Sequence, residues 1–150
     1  MEINNQHKIK SLLIVAGIVE ILVGLLHFAM PYFIYQSNGF MNLTNIESDF
    51  VLLVTYAVGI LLVAFGATTI VLSTQVNVIT KLIFYYVLIQ IILWTARIAL
   101  ELLYPLQLNM FYIEPFTAIV LPGLVIELSL FVSAIFFIYR FMQNHSQGGL

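Results

Sequence analysis

The chain contains no cysteine and very little charge. Its 150 residues include five Lys and Arg, seven Asp and Glu and three His, with a net charge of -2. Without cysteine there is no disulfide, no Cys-based zinc site, no iron–sulfur cluster and no thiol nucleophile. With so few basic residues and no basic patch, nucleic-acid binding is excluded. A charged fraction of 8% cannot clothe a soluble surface, because soluble domains carry about 25%. Between Asp49 and Lys81 no charged residue appears at all.

What is there is apolar: 62% of the residues are hydrophobic. No soluble fold of this size has enough interior to hide so much apolar side chain, so the solvent for this surface is lipid. Four runs reach the length of about 20 residues that a helix needs to cross a bilayer. They cover 9–35, 49–73, 80–104 and 115–142. The first run follows Lys8 and Lys10, as a signal peptide would. It is too long for an apolar h-region, and no A-x-A site follows, so it reads as an uncleaved span. Pro105 closes the third run and Pro115 opens the fourth, where a missing N–H is tolerated. Thr44-Asn45-Ile46-Glu47 has the spacing of a capping box ahead of the second. Backbone groups in lipid must be satisfied within the segment, and these lengths suit helices rather than barrel strands.

The basic residues sort to one side. Lys8 and Lys10 precede the first span, Lys81 lies between the second and third, and Arg140 is near the end of the fourth. The 37–48 and 105–114 connections hold Glu47 and Glu114 but no Lys or Arg. Positive-inside orientation then puts both termini in the cytoplasm, with the plasma membrane as the expected location. Short connections predict an all-α, single-domain membrane protein over 1–150: a four-transmembrane-helix up-down-up-down bundle, N-in and C-in. The apolar 105–114 connection is expected at the outer interface, or folded over the mouth of the bundle.

Five ionisable residues lie inside these runs: Glu20, His27, Arg97, Glu101 and Glu127. A charge at the bilayer centre costs roughly 2.5–3.5 kcal/mol on insertion scales, so such residues face a protein interior, a partner or a watery cavity. Helical spacing groups them with other polar or small residues. Gly17, Glu20, Gly24, His27 and Pro31 form one stripe; Tyr56, Gly59, Val63 and Gly66 form another. Gln90, Arg97 and Glu101 share a face, with Trp94 beside it, and Gly123 aligns with Glu127. Counting about 1.5 Å per residue from Lys10, Lys81 and Arg140 gives two layers. Glu20, Gln90 and Glu127 fall near the midplane; His27, Tyr56, Arg97 and Glu101 fall in the outer half. Three Glu face one Arg, so at least one carboxyl is expected to be neutral, metal-bound or solvated, with the proton on Glu20 or Glu127. The glycines, Gly123 included, are expected to pack helices together.

These residues predict an intramembrane polar pocket in the outer half, binding an amphipathic ligand such as a lipid, quinone or isoprenoid or acting on it by acid–base chemistry. Arg97, Glu101, Tyr56, Gln90 and Trp94 would bind the ligand. Glu20, His27 and Glu127 would be the catalytic groups, with His27 as a base paired to Glu20 or Glu101. Whether the chain is an enzyme stays open, and no cofactor is identified. Three alternatives stand beside this reading. One is a non-catalytic accessory or assembly subunit of a membrane complex; in either case a homo-oligomer or membrane-complex subunit is expected. Another is an intramembrane metal or haem site, although the Glu-x-x-His pairing of bundle di-iron proteins is missing and no metal ligands are assigned. The third is a proton-coupled transporter using Glu127 and Glu20.

Over 12–35, with "GIVEILVGLLHFAMPYF", and 49–73, with "YAVGILLVAFGATTIVLS", the chain resembles the first two spans of the small four-helix membrane proteins of the DoxX-like group. That resemblance implies the four-helix plan and carries over no residue role. The chain is also similar in size to the four-helix sterol-isomerase-like group, which uses intramembrane carboxylates; none of its motifs aligns here.

Overall fold

A computed structural model of the chain describes residues 2–34, 41–103 and 116–147. Four helices account for nearly all of them: α1 (Glu2–Ile34), α2 (Asn45–Ser73), α3 (Thr80–Leu103) and α4 (Phe116–Gln147). Each is long and apolar enough to span a membrane, over Asn5–Tyr32, Asn45–Ser73, Thr80–Leu103 and Val120–Asn144. The expected interfacial connection 105–114 lies outside the described residues.

Local chemistry fixes the helix ends and the solvation of their hydroxyls. Thr44 caps α2 in a reciprocal box: its side chain accepts from the Glu47 N–H, and Glu47 Oε2 accepts from the Thr44 N–H at 2.8 Å. Between α2 and α3 the chain turns through 74–79, where Thr74 N–H bonds Val71 O at 3.1 Å and Gln75 N–H bonds Leu72 O at 2.9 Å. Val76 in that turn is buried, so the connection is packed into the bundle. Inside the spans, Thr55, Thr68 and Ser129 donate to carbonyls one turn back, at 2.8, 2.8 and 2.7 Å. Those bonds let hydroxyls face lipid without an unpaired donor. Pro31 and Pro122 lie within α1 and α4, and both helices continue through them.

The outside is apolar: Leu22, Leu25, Leu53, Ile60, Leu61, Ile92, Leu93 and Ile126 are among many exposed large side chains. The apolar core is narrow, and Ile9, Leu13, Ile83, Val87, Phe131, Ala134 and Ile138 are fully buried in it. α1 packs most extensively on α2 and also on α4, which in turn packs on α3. At one end Lys8 stands over the Phe137 ring at 5.4 Å, and Arg140 over Phe136 at 4.4 Å, so these cations rest on aromatic faces.

The α1–α2 contact is made backbone to backbone through two glycine pairs. A Cβ on Gly17 would stand 2.6 Å from the Gly66 carbonyl oxygen, and one on Gly66 would stand 2.5 Å from the Gly17 oxygen. Gly24 and Gly59 meet in the same way, at 2.8 and 3.0 Å. Lipid offers no hydrophobic drive for helices to associate, so such close approach is a main source of attraction. Gly123 differs from the expectation: nothing lies within 4 Å of where its Cβ would be. Among the described residues it therefore makes no close helix contact, although Glu127, one turn on, is buried.

Gly66→Ala and Gly17→Ala are expected to cost about 1–3 kcal/mol each through overpacking, read as a lower thermal unfolding temperature in detergent. Gly123→Ala is expected to leave that temperature unchanged or raise it.

Candidate functional site

Where α1, α2 and α3 converge, a cluster of polar side chains is shut away from lipid. Glu20 of α1 is 0% exposed. Its Oε2 accepts a hydrogen bond from Thr69 Oγ1 of α2 at 2.9 Å, and its Oε1 accepts a longer one from Trp94 Nε1 of α3 at 3.4 Å. Thr69 Oγ1 also lies 2.8 Å from the Tyr86 hydroxyl and 2.9 Å from Phe65 O. The Tyr86 hydroxyl donates to Phe65 O at 3.0 Å and accepts from Gln90 Nε2 at 2.8 Å. One carboxyl thus ties together three helices, and α3 reaches its neighbours here through long side chains. Ser73, also buried, is turned onto Ile70 O of its own helix.

Glu127 brings α4 to this centre. It is 1% exposed, on a face it shares with buried Leu124 and Phe131, and it is close enough to Glu20 to interact electrostatically. Neither of its carboxyl oxygens has a hydrogen-bond partner among the described residues. A buried carboxyl without a partner is costly in an apolar bundle unless it is neutral or holds a ligand.

Hydrogen counting defines what the Glu20 cluster can do. Thr69 and Tyr86 supply one hydroxyl hydrogen each. With Glu20 ionised, Thr69 donates to Oε2 and Tyr86 to Phe65 O. With Glu20 protonated on Oε2, that hydrogen points to Thr69 Oγ1, and Thr69 donates to Phe65 O. Both states are fully bonded with the heavy atoms where they stand, and they differ by rotation of one hydroxyl.

A second polar group lies further along α3. Arg97 Nη1 pairs with Glu101 Oε2 at 2.8 Å, one helical turn on. Glu101 is 5% exposed and the Arg97 side chain 37%, so the carboxylate is inside and the guanidinium partly outside. His27 is half-buried on α1, against Gly59 of α2. Its Nδ1 donates to Val23 O at 2.8 Å. A carbonyl can only accept, so the neutral ring carries its hydrogen on Nδ1 and leaves Nε2 as an acceptor. This backbone anchor takes the place of the expected pairing of His27 with Glu20 or Glu101.

The structure therefore brings together Glu20, Gln90 and Trp94, with Glu127 alongside, and separately Arg97 with Glu101. It does not bring Tyr56 to either group: Tyr56 is 40% exposed, with its ring 6.0 Å from that of Phe28. No three His, Asp or Glu converge among the described residues, so Glu20, His27, Glu101 and Glu127 do not form one metal-binding set there. Thr69 and Tyr86 are the residues that sequence reasoning missed. The stripe Gly59–Gly66 runs on through Thr69 to Ser73, and the Gln90–Trp94 face runs back one turn to Tyr86. No family profile, curated protein or solved structure matches this chain.

Trp94 is the chain's single tryptophan and is buried against Glu20, so its fluorescence reports the cluster. Its emission is expected to resist aqueous iodide and to be quenched most by lipids brominated deep in the acyl chain. Strongest quenching by shallow brominated lipids would contradict a midplane cluster. Glu20→Leu removes the carboxyl from the indole N–H and is expected to change emission intensity at constant pH.

Proposed function

We propose that this chain is an integral membrane four-helix bundle of up-down-up-down topology that binds the polar head of an amphipathic ligand in its outer half. The glycine pairs support the topology, since 17 meets 66 and 24 meets 59, with residue numbers running in opposite directions along α1 and α2. The basic residues support an orientation with both termini cytoplasmic, in the cell membrane. In that arrangement α1 and α3 run the same way. His27 lies two turns past Glu20, and Glu101 two turns past Trp94, so both are about 10 Å outward of the Glu20–Trp94 contact.

Arg97 carries the proposal. An arginine inside an apolar span is costly to retain as a simple staple. Glu101 holds it through Nη1, and the side chain is 37% exposed, so among the described residues the rest of its fork of five N–H donors is open to an anionic or carbonyl-bearing head. Exposed Leu93 and Leu100 on the same helix offer an apolar bed for a lipid, quinone or isoprenoid tail. If chemistry occurs at that head, Nε2 of His27 accepts the proton and Arg97 stabilises the negative charge that develops.

Native mass spectrometry of detergent-purified protein, with lipid extraction of the same sample, tests this. A stoichiometric amphipathic adduct on wild type that is lost in Arg97→Ala supports it. An adduct retained unchanged in Arg97→Ala, or adduct-free wild type, counts against it. The same spectrum reads the oligomeric mass, and so tests self-association or membership of a larger membrane complex.

A further inference from the structure

Among the described residues, Glu20 and Glu127 rank with the most deeply buried polar groups, and they have a chemistry of their own. Glu20 and Glu127 are two carboxyls in one buried core, contributed by helices that pack on each other. Two carboxylates so placed repel, and burial at 0% and 1% exposure sets both apart from bulk water. Their surroundings differ in kind. Glu20 has donors on both oxygens, Thr69 on one and Trp94 on the other. Glu127 has none among the described residues.

We propose that Glu20 and Glu127 form a proton-binding site at the centre of the bundle, in which Glu127 keeps a resident proton and Glu20 exchanges one. Glu127 lacks any donor that would support a negative charge, so it stays neutral. Glu20 is supported in both states by the hydroxyl rotation of Thr69. Losing the proton to a water molecule that enters the core breaks the Glu20 Oε2–H bond, leaves the electron pair on Oε2 and carries the proton away as hydronium. The Thr69 hydroxyl then swings from Phe65 O to Oε2, while Tyr86 holds Phe65 O and Gln90 holds the Tyr86 oxygen. The pair therefore passes between net charges of 0 and −1 with no movement of heavy atoms. The titratable groups facing Glu20 are Tyr86 from α3 and Glu127 from α4. From α2 it meets the hydroxyl of Thr69. Arg97, one turn beyond Trp94, is engaged by Glu101. This inference stands independently of the ligand proposed at Arg97.

Infrared difference spectroscopy of the protein in lipid nanodiscs, stepped through pH, tests the site. Two protonated-carboxyl carbonyl bands are expected in wild type near neutral pH. One should persist through the titration and disappear in Glu127→Gln. The other should vanish as pH rises, in step with a change in Trp94 fluorescence, and be missing at every pH in Glu20→Gln. Absence of any protonated-carboxyl band at neutral pH would overturn the proposal. So would bands that survive both substitutions. The wild-type titration is decisive by itself should either variant fail to fold, because a single pH-independent band, or Trp94 emission that does not follow the second band, contradicts the exchange at Glu20.

Discussion

Thr69 and Trp94 give the Glu20 carboxyl two hydrogen bonds that lipid cannot supply. They come from two different helices and converge on a third. Leucine and isoleucine faces are as well solvated by acyl chains as by each other, so apolar burial does little to choose which helices adjoin. A carboxyl chooses strongly, because any arrangement that turns it to lipid leaves it unsatisfied. Much of the arrangement can be read as what this one group requires: a hydroxyl from α2, an indole from α3, and a covering face from α4.

The glycine seam makes those bonds reachable. Glu20 lies between Gly17 and Gly24 on α1, and Thr69 lies one turn beyond Gly66 on α2. Because the backbones touch at the glycine pairs, a short threonine side chain spans the remaining gap to Oε2. Bulkier residues in the seam would push α2 outward and lengthen the Thr69 bond. Packing and polarity are thus coupled in this bundle: close approach sets the hydrogen-bond length, and the hydrogen bond sets which faces approach. The Arg97–Glu101 pair is different in character, since it joins residues one turn apart on α3 and leaves the guanidinium partly exposed.

Much of this was legible in the residues. The four spans follow from apolar length, and the capping box at Thr44 from four letters. The glycine stripes at 17 and 24, and at 59 and 66, point to a close helix contact by their spacing alone. The grouping of Glu20 with Gln90 followed from counting helical rise. Residues whose role depends on a partner helix were harder to read. Thr69 looks like any threonine that satisfies itself on its own backbone, and Tyr86 like one more interfacial aromatic. Only the crossing point turns both toward Glu20. Tyr56 was equally hard to read: it sits on the glycine stripe by number, yet its ring packs beside Phe28 of α1 and is 40% exposed. Gly123 failed because helical alignment with Glu127 says nothing about whether another helix lies opposite.

A double-mutant cycle between Glu20 and Thr69 tests the carboxyl's role most directly. Reversible unfolding in bicelles would be measured for Glu20→Leu, Thr69→Val and the combination. A coupling of about 1 kcal/mol is expected, in the range of hydrogen bonds between membrane helices. Strictly additive effects would contradict a bundle organised around Glu20 and leave the glycine seam as its main determinant.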